Sequence, residues 1–160
     1  MPPVISVIGK SDSGKTTVIE KLIPVLKKRG YRIGIIKHAS HGFEADQRGK
    51  DSWRHKQAGA DTVMVASPGR IGMIKDIACE SIDCLMEYFQ DMDLVITEGF
   101  KKENKPKIEV FRSGIHNEPL CLNDNNLIAF VTDTDIDLEV PTFGLEDVEE
   151  LADLIEKIYL

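Results

Sequence analysis

The chain lacks several features that would place it in a more specialised class. Cysteine is scarce, with three residues and no C-x-x-C pair, which argues against a disulfide framework and a thiolate zinc site and suits a reducing cytoplasm. No apolar run is longer than a strand, so we expect no membrane-spanning segment and no membrane partner. The first predicted strand begins almost at the N-terminus, so no signal peptide is expected and a cytoplasmic location is favoured.

A surplus of positive charge is also missing. The formal net charge is −7 at pH 7, which argues against broad nucleic-acid binding because that interaction needs a basic surface. Hydrophobic residues make up 42% of the 160 residues and charged residues 29%, as in an ordinary globular protein. Residues 1–160 are therefore expected to form a single domain with a core of its own.

A complete phosphate-binding motif, G-x-x-x-x-G-K-[ST], occupies residues 9–16. It follows an apolar run at residues 4–8 and precedes a segment with apolar residues at helical spacing. The motif needs this strand-loop-helix context, because the loop N–H groups and the helix N-terminus together cradle phosphate. The predicted nucleotide-binding residues are Gly9, Lys10, Ser11, Asp12, Ser13, Gly14, Lys15, Thr16 and Thr17.

Strands and helices are predicted to alternate along the chain. Helices are predicted at residues 15–29, 51–57, 77–90 and 146–158, and strands at residues 4–8, 31–37, 62–66, 94–97, 107–111 and 127–131, with an antiparallel piece at 71–74. This order predicts an α/β fold like that of P-loop NTPases, with a mainly parallel, twisted sheet flanked by helices and some antiparallel strands.

The catalytic candidates are Lys15, Thr16 and Glu98. Lys15 is expected to reach the β- and γ-phosphates, and the Thr16 hydroxyl to ligate Mg²⁺. A magnesium site usually takes a carboxylate from the end of a neighbouring strand, and Asp93 and Glu98 bracket one. Because the two lie at opposite ends of that strand, Glu98 is the better candidate, acting directly or through a metal-bound water. The alternative is that Glu98 is a strand-end acid that caps a neighbouring turn.

Residues 38–60 are dense in histidine and charge and follow the end of a predicted strand. Ligands collect at that edge of a parallel sheet, so the segment suits a ligand-facing loop, although a hydrophilic surface loop would look similar. Lys50 and Arg54, four residues apart, could present two cations on one helical face to phosphate or pterin oxygens. His38 and His41 could contribute to a metal site, but two imidazoles are too few to close one, and a role in orienting the loop is the simpler interpretation.

Two further positions bear on nucleotide recognition. Asp133 follows the strand at residues 127–131 and could place a carboxylate near a guanine base, although an ordinary strand-end turn is an equal alternative. Lys10 stands five residues before Lys15, where some dimeric ATPases carry a lysine that reaches the other subunit's nucleotide. A surface lysine is the simpler interpretation.

The chain resembles the molybdopterin-guanine dinucleotide biosynthesis protein B (MobB) family over essentially its whole length. The motifs that carry the resemblance are the phosphate loop, the His38-x-x-His41 pair, the Gly-Lys-Asp-Ser-x-Arg run at residues 49–54, the Thr-Glu-Gly-Phe-Lys run at 97–101 and the Pro-Lys-Ile-Glu-Val run at 106–110. The Gly-Lys-Asp-Ser-x-Arg and Glu-Gly-Phe-Lys runs are far more specific than the phosphate loop, which many families share.

The resemblance implies GTP binding with Mg²⁺, weak GTP hydrolysis, a homodimer, and assistance to a partner guanylyltransferase that attaches GMP to molybdopterin. It also implies that Glu98 serves the magnesium ion. The expected substrate-binding residues, which would line the site or face the pterin, are His38, Asp46, Lys50, Asp51 and Arg54.

Two other functions remain open at this point. A GTP-dependent metallochaperone would use His38, His41 and a cysteine, but its usual His-rich tract or C-x-x-C site is missing. A small-molecule kinase could use Lys50 and Arg54 to hold its acceptor, but no catalytic base or lid is recognisable.

Overall fold

The computed structural model describes all 160 residues, which divide into two compact units, Met1–His38 with Ser81–Leu160 and Ala39–Glu80. The helices are α1 (Lys15–Lys28), α2 (Asp51–Gln57), α3 (Ile82–Leu85), which continues as a 3₁₀ turn (Met86–Phe89), and α4 (Val148–Tyr159). The strands are β1 (Val4–Ile8), β2 (Ile33–Lys37), β3 (Thr62–Ser67), β4 (Arg70–Lys75), β5 (Leu94–Glu98), β6 (Lys107–Phe111), β7 (Leu127–Thr132) and β8 (Thr142–Gly144).

The larger unit is built on a six-stranded sheet in the order β2-β5-β1-β6-β7-β8. Every neighbouring pair in it is parallel. The carboxyl ends of all six strands therefore meet at one edge of the sheet, the edge at which ligands bind in open α/β folds. The predicted α/β fold with a mainly parallel sheet is confirmed.

The central strands are buried on both faces. Helices α1 and α4 pack against one face, where Leu22, Leu26 and Ile155 are fully covered. The other face is covered near β5 by Ile82 and Met86. Two-sided burial explains why β1 and β5 are continuous apolar runs rather than alternating ones. Such a core fixes the strand ends, and with them the loops that form the candidate site.

The smaller unit contains α2 and the antiparallel hairpin β3–β4, which confirms the predicted helix at residues 51–57 and the antiparallel strands. Met64 pairs with Met73 and Ala66 with Ile71, so these four side chains share one face of the hairpin. Met64 is 55% exposed and Ile71 67% exposed. The hairpin therefore presents an apolar face to its surroundings.

The predicted helix at residues 77–90 is too long. The helix begins only at Ile82, after Ser81 in an extended conformation, and tightens to a 3₁₀ turn at Met86. No residue of 77–81 is buried, so nothing there supplies the packing that stabilises a short helix.

The scarcity of cysteine argues against a disulfide framework, but Cys79 and Cys84 are disulfide-bonded, so that expectation is wrong for these two residues. Positions five apart do not share a helix face, so a helix through both would separate the two sulfurs. The late start of α3 removes that constraint. Cys121 is the free cysteine and is buried. None of the helices combines the length and the hydrophobicity that a bilayer crossing requires.

Candidate nucleotide-binding site

The phosphate loop connects β1 to α1 at the carboxyl edge of the sheet. Gly9 has φ +150° and Gly14 has φ +98°, and Asp12 is a non-glycine residue in the left-handed region, with φ +61°. These positive φ values turn the chain sharply between strand and helix. The loop therefore lies directly beyond a buried strand, in the context that the motif requires.

Glycine is required at position 9 for a second reason, because the backbone there lies very close to β6 and to Ser13. A Cβ atom at this position would lie 2.4 Å from the carbonyl oxygen of Val110 on β6 and 2.6 Å from Oγ of Ser13. No side chain fits there, so the backbone of the loop packs against the neighbouring strand. Ser13, which belongs to the loop, is fully buried, and its hydroxyl has no hydrogen-bond partner.

The first turn of α1 suits an anion. Helix α1 has 14 residues, no side chain caps its N-terminus, and its first turn contains no acidic residue. The N–H groups of Lys15, Thr16 and Thr17 belong to that turn and have no carbonyl one turn earlier to bond. With the helix dipole, they suit a phosphate group, so the residues present fit a nucleoside triphosphate.

Lys15 lies folded back over its own loop. Its Nζ donates a hydrogen bond of 2.7 Å to the carbonyl oxygen of Lys10. Burial lowers the pKa of Lys15, and the nearby carboxylates of Glu98 and Asp12 offset part of that shift. If Lys15 gives up its hydrogen bond to the carbonyl of Lys10, its side chain can rotate toward a phosphate without a change in the backbone.

Glu98 ends β5 directly beside the phosphate loop. Oγ1 of Thr16 donates a hydrogen bond of 2.9 Å to Oε1 of Glu98. The ammonium of Lys37, at the end of β2, lies 3.7 Å from the same oxygen. A hydroxyl and a carboxylate at this distance are hard oxygen ligands of the kind that Mg²⁺ binds. The fit to a magnesium site rests on this donor pair.

Asp93 lies at the opposite end of β5, away from the loop. Its Oδ2 accepts a hydrogen bond of 2.7 Å from the backbone N–H of Arg32, and its Oδ1 lies 3.3 Å from the guanidinium of the same residue. These contacts lower the pKa of Asp93. Asp93 thus has a structural partner far from the phosphate loop.

Asp133, at the end of β7, is engaged by its own chain. Its Oδ1 accepts a hydrogen bond of 2.9 Å from the backbone N–H of Ser113, and its Oδ2 lies 3.8 Å from Nε of Arg112. The Ser113 hydrogen bond is the main cause of the lowered pKa of Asp133. The structure therefore supports the alternative in which Asp133 stabilises the turn at the strand end.

The loop after β6 also touches the phosphate loop. Nε2 of His116 lies 2.7 Å from the carbonyl oxygen of Ser11. The side chain of Lys10 lines a recess of about 440 Å³ together with residues 115–118. Sequence reasoning missed Arg112 and His116, although both follow a strand whose end meets the same edge as β1, and that rule could have found them.

Four of the five predicted substrate-binding residues, Asp46, Lys50, Asp51 and Arg54, lie in the smaller unit. Asp46 accepts a hydrogen bond from the N–H of Gln47 through Oδ1, whereas its Oδ2 is buried with no partner. Lys50 precedes α2 in an extended conformation, and its carbonyl accepts the N–H of Arg54. The guanidinium of Arg54 lies 3.6 Å from Oδ1 of Asp51.

His38 belongs to the larger unit, at the end of β2. Its ring packs against the ring of Phe100 with centroids 4.8 Å apart. The backbone N–H of His38 donates a hydrogen bond to the backbone carbonyl of Glu98. No group of three or more His, Cys, Asp or Glu side chains is arranged to hold a metal ion. The contacts of His38 are those of a residue that orients the turn after β5.

Comparison with known proteins adds the following similarities. The family model of molybdopterin guanine dinucleotide synthesis protein B matches residues 4–133. A molybdopterin-guanine dinucleotide biosynthesis adapter protein of Haemophilus influenzae is 37% identical over 157 residues, covering 96% of this chain and 88% of that protein. The adapter protein of Escherichia coli is 36% identical over 162 residues, covering 97% and 92%. A crystal structure of molybdopterin-guanine biosynthesis protein B superposes with a TM-score of 0.79 at 33% identity and covers 98% of each chain.

Proposed function

Because the chain belongs to the molybdopterin guanine dinucleotide synthesis protein B (MobB) family, we propose that it is a GTP-binding accessory protein in the synthesis of that dinucleotide. It acts in the cytoplasm and assists a partner guanylyltransferase, which attaches GMP to molybdopterin. Its similarity to proteins named adapters favours this supporting role over an independent synthetic activity.

The contact between Thr16 and Glu98 is the observation that carries the nucleotide part of the proposal. Together with the uncapped first turn of α1, it supports the proposal of a cation site next to a triphosphate site. Thr16 and Glu98 would hold Mg²⁺, which when bound neutralises charge on the β- and γ-phosphates. Lys15 would leave the carbonyl of Lys10 and bind the same phosphates.

The groups around the loop support the proposal of weak GTP hydrolysis. Lys15 and the loop N–H groups can stabilise charge that develops on the γ-phosphate. Glu98 is the carboxylate beside Thr16, and it is already engaged by that hydroxyl and by Lys37. It is therefore poorly placed to activate a water molecule, and slow turnover is expected.

The residues proposed to bind the pterin belong to the smaller unit. Asp46 has a buried, unpartnered carboxylate oxygen, which suits the amino and ring N–H donors of a pterin. Lys50, Asp51 and Arg54 at the start of α2 add charges of both signs that suit its phosphate and polar edge.

The homodimer is favoured by the same unit. A two-stranded hairpin is at best marginally stable alone in water, and the hairpin β3–β4 leaves Met64 and Ile71 exposed. A second copy of the chain that pairs with this apolar face would remove that exposure.

Titration calorimetry with GTP and ATP, each with Mg²⁺ and with a chelator, tests the proposal. The expected result is a preference for GTP that strengthens with Mg²⁺. Addition of the protein to a guanylyltransferase assay should then increase formation of the dinucleotide. A preference for ATP, or equal affinity for both, would contradict the guanine part of the proposal.

A further inference from the structure

Arg112 lies immediately after β6, beside the phosphate loop. β6 is the neighbour of β1 in the sheet, so the ends of the two strands are adjacent. The Cδ atom of Arg112 is 3.9 Å from the position that a Cβ atom on Gly14 would occupy. Its side chain therefore runs alongside the residue that precedes the first turn of α1.

The far end of the Arg112 side chain is held from β7. Nε lies 3.8 Å from Oδ2 of Asp133, and the same aspartate accepts the N–H of Ser113 through its other oxygen. A separation of 3.8 Å is an ion pair but too long for a hydrogen bond. Asp133 thus orients the guanidinium of Arg112, and the N–H donors of that guanidinium stay available to a ligand. Arg112 is 44% exposed at its side chain, so a ligand can reach it.

The direction in which a nucleotide must extend follows from the magnesium side of the loop. Thr16 contacts Glu98 on β5, which is the neighbour of β1 opposite to β6. Thr16 and Glu98 would hold a magnesium ion on the β5 side of the loop, where it would neutralise charge on the β- and γ-phosphates, so the nucleoside would leave the loop toward β6 and β7. Strands lie about 4.8 Å apart, so the end of β7 is about 10 Å from that of β1. A recess of about 1100 Å³ opens there, lined by residues 132–137 and 142–147, and is large enough for a nucleoside.

We infer that Arg112 binds the α-phosphate of the nucleotide and that Asp133 is the positioning residue that holds its guanidinium in place. The guanidinium lies between the triphosphate end at Gly14 and the nucleoside recess at β7, which is where the α-phosphate falls. Arg112 would recognise this phosphate through charge-assisted hydrogen bonds. This role of Arg112 rests on the proposed nucleotide-binding function, and it replaces the alternative in which Asp133 reads the base.

The test compares the affinities of GTP and GDP for wild type, Arg112→Ala and Arg32→Ala. Arg32→Ala is a matched control, because Arg32 also pairs with an aspartate that accepts a backbone N–H, but at the opposite edge of the sheet. Arg112→Ala should weaken GTP and GDP equally, by about tenfold to a hundredfold. Arg32→Ala should bind both as wild type does. Thermal unfolding of each variant verifies that it is folded.

Each other result has a distinct meaning. Unchanged affinity in Arg112→Ala would overturn the assignment, and a loss confined to GTP would move the contact to the γ-phosphate and overturn it equally. Wild type that binds no nucleotide would instead reject the proposed function itself.

Two further substitutions separate phosphate binding from stacking on the base. Arg112→Lys keeps the charge and should retain most of the affinity, whereas Arg112→Gln keeps a planar group and should lose it. The opposite order would overturn the phosphate assignment. Asp133→Asn should weaken both nucleotides less than Arg112→Ala does, and adding it to Arg112→Ala should cause no further loss. Additive losses would show that Asp133 acts independently of Arg112.

Discussion

The hydroxyl of Thr16 donates a hydrogen bond of 2.9 Å to Oε1 of Glu98, although 82 residues separate them in the sequence. The parallel pairing of β1 with β5, in which Val7 lies opposite Glu98, creates this contact. Two elements that are unremarkable alone, a helix start and a strand end, thereby form the donor pair of a proposed magnesium site.

The first prediction concerns this carboxylate. Glu98→Gln should weaken GTP binding about tenfold in the presence of Mg²⁺ and leave it unchanged with a chelator, because only the metal-dependent part is lost. Titration calorimetry under both conditions measures the difference. Asp93→Asn, at the other end of the same strand, is the control and should retain the Mg²⁺ effect. Equal Mg²⁺ dependence in Glu98→Gln and wild type would remove Glu98 from the site.

The second prediction concerns the close approach of the loop to β6. Gly9→Ala should reduce stability by about 2 kcal/mol and abolish nucleotide binding, because its Cβ would lie 2.4 Å from the carbonyl of Val110. Denaturant unfolding and GTP titration measure the two effects. Gly114→Ala is the control, since a Cβ there meets nothing within 4 Å. A Gly9→Ala protein as stable as the control would contradict the packing argument.

The sequence was sufficient to predict the parts of the fold that depend on local pattern. The motif at residues 9–16 predicts strand, loop and helix together, and side-chain alternation along residues 93–98 separates Asp93 from Glu98. Strand β8 was missed, because three residues are too few to show a period. The contacts of Arg112 with Gly14 and Asp133 depend on the order β1-β6-β7, which no local pattern encodes.

The third prediction concerns the ion pair between Lys107, the first residue of β6, and Asp124. The side chain of Lys107 is 4% exposed, and its Nζ lies 2.6 Å from Oδ2 of Asp124. Asp124→Asn should lower the free energy of unfolding by about 2–4 kcal/mol at neutral pH, because it leaves a buried ammonium unpaired. Lys107→Met should lower the free energy of unfolding less, because it removes the buried ammonium itself and leaves only the more exposed carboxylate of Asp124 without its partner. Denaturant unfolding of both variants checks the order, and an equal cost would contradict it.

The same pair gives a pH dependence with a definite sign. The hydrogen bond from Lys107 is the main cause that lowers the pKa of Asp124 below its ordinary value of 3.8. The stabilisation is therefore complete above pH 3.8 and is lost as the pH falls through the lower pKa of the folded state. The stability difference between wild type and Asp124→Asn should shrink over that range. A difference that stays constant down to the acid transition would show that Asp124 does not respond to Lys107.

The fourth prediction concerns the apolar face of the hairpin β3–β4. Ile71 is 67% exposed on the same face as Met64 and Met73. If a second copy covers this face, Ile71→Glu places a charge in the interface and should shift the protein from dimer to monomer at micromolar concentration. Light scattering after size-exclusion chromatography measures the mass. Ile158→Glu is the matched control, because Ile158 is 50% exposed on α4 in the larger unit and should leave the dimer intact. Loss of the dimer in both variants would point to general instability, and its retention in Ile71→Glu would place the interface on another surface.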